Sequence, residues 1–270
     1  MGKAGMPLPD FRLPAVVFIA LALVGCGKEG KRAPSAPLGV APTYEVRDNA
    51  ATRRRFNYQD QMTLADRAYQ SGSLAAAEKG ARAALKLDGN RPDAYLMLAT
   101  LAARRGEDAD AGGLYRKAAE LAPERGDVLN NYGAWLCTHG RAAESLVWFD
   151  RALAAPGYAT PASALANAGG CALEAGQSER AGRDLRAALQ VDPGNAYALE
   201  SMARSEYTQG RYFEARAFSQ RRLAAAPATR SVLQLASEIE AQLGDTVASG
   251  RYLQRIRDEF PQDAAPNSRG

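Results

Sequence analysis

The sequence is poor in the side chains on which most enzymes and metalloproteins depend. It has a single histidine, His139, so a multi-histidine metal site is excluded and most histidine-based acid–base catalysis with it. Cysteine occurs three times, too rarely for a disulfide framework. Aromatic residues are 7% of the chain, so packing must rely on smaller apolar groups, chiefly alanine. No charge of one sign dominates: the formal net charge of +4 over 270 residues favours solubility and is no nucleic-acid signature. The phosphate loop GxxxxGK[ST], the zinc motif HExxH, the nucleophile elbow GxSxG and paired CxxC motifs are all missing. These absences point away from an enzyme, a bound cofactor, a metal site and a small-molecule substrate.

Long apolar runs are scarce too. Residues 14–24, PAVVFIALALV, form one that is shorter than the ~20 residues a helix needs to span a bilayer. It follows Lys3 and Arg12 and has the length of a signal-peptide core. It ends in Leu23-Val24-Gly25-Cys26, which resembles the lipobox of bacterial lipoproteins. That resemblance implies cleavage before Cys26, a diacylglycerol on its thiol, and stable attachment, since each buried methylene contributes ~0.8 kcal/mol. Gly27, rather than Asp, follows the cysteine. By resemblance to enterobacterial sorting, this implies anchoring in the inner leaflet of the outer membrane, facing the periplasm.

Residues 27–50 carry Gly, Pro, Ser and charge without helical periodicity and read as a tether. Arg53-Arg54-Arg55 reads first as a solvated helix entry and second as a contact for anionic lipid headgroups. The expected layout is a signal peptide over 1–25, the lipidated cysteine and tether over 26–56, a repeat domain over 57–263, and a disordered tail over 264–270.

The body carries a repeat. Gly72, Gly106, Gly140, Gly176, Gly210 and Gly244 stand at intervals of 34, 34, 36, 34 and 34 residues, each in a polar turn context. Seven residues before each is a small residue: Ala65, Ala99, Gly133, Gly169, Ala203 or Ser237. Five after is another: Ala77, Ala111, Ser145, Ala181, Ala215 or Ser249. Small side chains in fixed phase let two helices cross closely. Seventeen after come Gly89, Pro123, Gly157, Pro193, Pro227 and Pro261, which end the second helix. The interval of 36 places two extra residues in a longer loop near 155–161.

This pattern resembles the tetratricopeptide repeat, most clearly through Tyr95, Leu98, Ala99, Gly106, Ala111, Tyr115, Ala118 and Pro123. The resemblance implies an all-α fold, a right-handed superhelical solenoid of about six helical hairpins whose first helices line a concave, protein-binding face. Ala81 and Ser219 depart from the pattern's aromatic position, and Glu206 and Glu240 from an apolar one, so the outer units are expected to be looser. Lipobox, tether and six units together, with the stretch Asn130-Asn131-Tyr132-Gly133 and Trp135-Leu136, are similar to the type IV pilus biogenesis and stability proteins, the PilF/PilW pilotins. That family implies a partner, the pilus secretin, whose outer-membrane localisation and multimerisation it promotes. An adaptor for cell-wall hydrolases is the alternative.

Helical spacing nominates groove residues at thirteen, ten, six and three positions before each turn glycine. In the first two units these include Met62, Asp66, Tyr69, Leu96 and Thr100, with Met62, Tyr69 and Leu96 as an apolar strip. The fifth unit offers Tyr197, Glu200, Arg204 and Tyr207 as a more polar second choice. Cys137 and Cys171 stand three and five residues before their turn glycines, an offset that rotates them ~200° apart, so they read as small buried side chains rather than as a disulfide. His139 reads as a solvated helix-end residue.

Overall fold

A computed structural model describes residues 49–261. Cys26, its motif, most of the expected tether and the tail at 264–270 lie outside the described residues. Among the described residues there are twelve helices and no strand: α1 (Ala50–Gln70), α2 (Leu74–Leu87), α3 (Pro92–Arg104), α4 (Asp108–Leu121), α5 (Gly126–Thr138), α6 (Ala142–Ala154), α7 (Pro161–Glu174), α8 (Ser178–Val191), α9 (Ala196–Thr208), α10 (Tyr212–Ala225), α11 (Arg230–Gln242) and α12 (Thr246–Glu259). They pair consecutively into six hairpins, and every substantial helix contact lies within a hairpin or between neighbours. This is the all-α tetratricopeptide solenoid that the repeat predicts.

The six turn glycines all have positive φ, from +72° to +79°. Each turn closes the same way. In the third, the Gly140 N–H donates to the Cys137 carbonyl at 3.2 Å and the Arg141 N–H to the Leu136 carbonyl at 2.9 Å. This Schellman arrangement satisfies the last carbonyls of the first helix and requires a residue that tolerates the left-handed region. The recurring small residues sit where the two helices cross. A Cβ on Gly133 would stand 2.9 Å from a ring carbon of Phe149, and one on Gly169 would stand 2.5 Å from Cγ of Leu185.

The extra residues fall where expected. Residues 155–160 join α6 to α7, whereas four residues join α2 to α3, α4 to α5, α8 to α9 and α10 to α11. Gly157 supplies a positive φ in that loop, and the Tyr158 ring packs against Gly126 at the start of α5.

Two expectations need correction. The tether does not run to residue 56, because α1 begins at Ala50 and residues 50–56 are helical. Asn49 caps the helix, its side chain accepting from Thr52 N–H at 2.8 Å, which satisfies a donor that would otherwise be orphaned. Cys137 and Cys171 are not free thiols: they form a disulfide between α5 and α7, with Cα atoms 5.8 Å apart. The two-residue offset does not hold them apart. Side-by-side helices meet through opposite faces, so residues that point at each other must differ by about half a turn in phase. An offset of two residues, ~200°, is the one that brings them together.

Candidate partner-binding surface

The first helices of the hairpins present their groove positions in successive columns. On α1, Asp66 is exposed and accepts from Gln70 Nε2 at 2.7 Å. Tyr69 is half-buried against Ala65, Ala77 and Leu98, and the Arg104 guanidinium of α3 lies 4.4 Å from its ring centroid. Met62 is half-buried against Tyr58, Ala84 and Ala94. On α3, Leu96 is half-buried against a core cluster shared by α4, α5 and α6 that includes Ala118, Leu129 and Tyr132. Thr100 Oγ1 donates to the Leu96 carbonyl at 2.9 Å and lies 3.3 Å from the Tyr115 hydroxyl. Burial raises the Tyr115 phenol above its ordinary range. Met62, Tyr69 and Leu96 thus each seat on a different core cluster while keeping part of their surface exposed. Tyr58, in the cluster on which Met62 packs, is buried, with the Arg91 guanidinium 4.9 Å from its ring centroid. Burial, with Asp93 nearby, pushes its phenol up to about 12.

The central units are closed rather than open. Beside the disulfide, Asn167 Nδ2 of α7 donates to Asn130 Oδ1 of α5 at 3.0 Å. Two aromatic side chains fill glycine vacancies in the preceding hairpin, Trp135 over Gly112 and Tyr197 over Gly170, and Tyr158 of the longer loop closes over Gly126. A Cβ on Gly112 or Gly170 would lie 2.3 Å from Trp135 Cη2 or the Tyr197 hydroxyl. Sequence reasoning missed these contacts. The available signal was glycine inside a helix away from the turn phase, where alanine would be better by ~1 kcal/mol.

In the fifth hairpin Tyr197 remains 45% exposed. Burial raises its phenol, and Glu174 adds to the effect. Glu200 lies 3.6 Å from both Arg204 and the buried Arg222, and the Tyr207 ring centroid is 5.6 Å from that of Tyr212. His139 does sit at a helix end, as the C-cap of α5, but it is held there. Its ring stacks on Trp135 at 4.4 Å, with Nδ1 2.7 Å from the Trp135 carbonyl and Nε2 3.2 Å from Asp108. Among the described residues, no group of three His, Cys, Asp or Glu is placed to hold a metal, and no helix is long and apolar enough to cross a membrane.

No protein-family profile and no curated protein sequence matches the chain. Solved structures do. PilW, a widely conserved type IV pilus biogenesis factor, is 28% identical and superposes with a TM-score of 0.70, covering 76% of this chain and 94% of its own. The chain is a tetratricopeptide-repeat protein similar to PilW. PilF of Pseudomonas aeruginosa is 22% identical with a TM-score of 0.68, covering 77% of this chain and 94% of its own, a likeness of fold. A tetratricopeptide repeat protein from Parabacteroides merdae, 18% identical with a TM-score of 0.58, covers 76% of this chain and 80% of its own and shares the fold alone. In the PilW-like array, six similar hairpins therefore present two different surfaces: a first-hairpin face with exposed polar and half-buried apolar groups, and central hairpins that are cross-linked and filled.

Proposed function

We propose that the chain is an outer-membrane lipoprotein, anchored through Cys26 and facing the periplasm, that serves type IV pilus biogenesis. In this reading it binds the pilus secretin and promotes its outer-membrane localisation and multimerisation. The observation that carries the reading is the likeness to PilW at 28% identity over 94% of that chain. The motif Leu23-Val24-Gly25-Cys26 supports the anchor, and the six-hairpin architecture supports recognition of a protein segment rather than a small molecule. The groove of the first two hairpins is the proposed docking face, since Asp66 is exposed there beside the partly exposed Met62, Tyr69, Leu96 and Thr100.

The test is secretin multimerisation in cells. Deleting the gene should leave secretin monomers and abolish twitching motility; normal multimers in the deletion strain would sink the function. Gln59→Arg with Asp66→Arg changes two exposed groove positions of α1 without entering the core. That variant should fail to assemble multimers while keeping its helical circular dichroism. Assembly by the variant but not by the deletion strain would move the docking face to Tyr197 and Tyr207. Cys26→Ser should lose incorporation of a fatty-acid analogue, and retained label would refute the anchor.

A further inference from the structure

The first helix is longer than its role in the array requires. α1 has 21 residues, whereas every other helix has 13 or 14. Its first buried residue is Tyr58, so about two turns, Ala50–Asn57, project beyond the packed hairpin. Arg53, Arg54 and Arg55 are all exposed on this projection, and no carboxylate among the described residues forms an ion pair with them. Phe56 follows, 50% exposed, with the Arg55 guanidinium 5.7 Å from its ring centroid. The first turn has no acidic residue.

For stability alone this is the wrong chemistry. A helix amino terminus carries partial positive charge and is stabilised by Asp or Glu, so three arginines within its first two turns oppose the dipole. An exposed phenylalanine on the same turns adds nothing to the core. Each feature suits an external anionic, amphipathic surface. The peptide dipole and three guanidinium groups attract phosphates, and long arginine side chains reach headgroups while their stems lie along apolar surface. Consecutive residues fan by ~100° about the axis, so an end-on approach lets all three arginines reach one plane.

We propose that the projecting tip of α1 contacts the bilayer, with Arg53, Arg54 and Arg55 engaging the phosphates of anionic phospholipids and Phe56 entering the boundary between headgroups and acyl chains. This rests on reading Cys26 as the anchor. Only residues 27–49 separate that anchor from α1, at most about 80 Å of fully extended chain. The contact would orient the repeat array on the membrane rather than merely leaving it attached.

The test uses the chain from Gly27 onward, made without acylation, which keeps the described residues 49–261 whole. It is sedimented with vesicles of phosphatidylcholine alone or mixed with phosphatidylglycerol. The chain should partition to the mixed vesicles, not to phosphatidylcholine alone, and more weakly as salt rises. Replacing all three arginines by Glu should lower partitioning on the order of a hundredfold. Replacing them by Lys should preserve most of it, and Phe56→Ala should give a smaller loss. Failure of the unaltered chain to bind mixed vesicles at low salt would overturn the proposal. So would equal binding by the Glu variant with unchanged circular dichroism, which would assign any binding to Lys28, Lys31 and Arg32, or equal binding of the unaltered chain to soluble polyglutamate. Because the assay chain carries no lipid, its outcome is independent of whether Cys26 is acylated, which the fatty-acid label decides separately.

Discussion

The third hairpin and the sixth have the same helices and turn but different interiors. In the third, Leu129, Leu136 and Phe149 are fully buried, and Phe149 closes over Gly133 at the helix crossing. In the sixth, the crossing is a hydrogen bond between Ser237 and Ser249, with hydroxyl oxygens 2.9 Å apart. Nearby, the buried Glu240 takes an ion pair from Arg216 of the fifth hairpin. The fifth hairpin repeats this theme, with buried Glu206 paired to Arg211 and buried Arg222 near Glu200. The backbone repeat is indifferent to these substitutions because the turns and the small-residue phase are kept. What changes is the interior chemistry: shape-matched apolar packing in the middle, and buried carboxylates and a buried guanidinium among the apolar groups toward the carboxyl end. Charge pairs of this kind contribute less than apolar groups of the same volume, since desolvation offsets most of their attraction. Glu206 and Glu240 thus alter the chemistry of the interior while the helices around them keep regular lengths and turns.

Because contacts link only neighbouring hairpins, each perturbation should stay local, and the measurement that resolves it is hydrogen exchange helix by helix. The largest effect is expected from Cys137→Ala with Cys171→Ala. Opening a cross-link across 34 residues should remove about 3–4 kcal/mol of protection from α5 to α8 and little from α11 and α12. Equal loss in both regions would mean that the array unfolds as one unit. Gly133→Leu comes next. Its side chain must displace Phe149, a cost of about 1–3 kcal/mol or more, read as a lowered thermal midpoint; an unchanged midpoint would contradict the close crossing.

Glu240→Leu then asks whether the charged interior is a compromise. Replacing a buried carboxylate by an apolar group of similar volume should be neutral or stabilising by roughly 1 kcal/mol, while Glu240→Ala should destabilise α11 and α12. Destabilisation by Leu as large as by Ala would show that the pair is needed as such. The smallest effect concerns pH. Hydrogen bonds from Arg82, Arg105 and Arg125 hold Glu78, Glu107 and Asp127 respectively below the ordinary carboxylate range. Their folded-state pKa values are depressed, so their contribution is present above the ordinary carboxylate pKa and lost as pH falls through the depressed values. All three pairs are partly exposed, so the acid-side loss should be slight and should shrink further in salt.

The regularity of the array was legible because a turn glycine at positive φ is a backbone requirement, and it recurs whatever the side chains around it do. The longer loop was legible for the same reason, since it changes only a spacing. Contacts between hairpins were not. Trp135 reaching Gly112 and Tyr197 reaching Gly170 depend on how neighbouring units lean together, which no single-unit pattern encodes. The cysteine pair was visible, two residues out of phase with the repeat, and was misjudged by asking for like faces where opposing faces meet. The nominated groove residues were placed on the right helices, but spacing alone did not reveal that Met62, Tyr69 and Leu96 also serve three separate parts of the core.

The cross-link between α5 and α7 is also self-contained. Its two sulfurs belong to adjacent hairpins, so a chain that has emerged as far as Glu174 already holds both. Bringing the two thiols together is a local step, and joining them then requires an oxidant that accepts two electrons. The staple between the third and fourth hairpins therefore needs no residue of the two charge-rich hairpins, and once an oxidant has taken up its two electrons it stays in place whether or not the carboxyl end is folded.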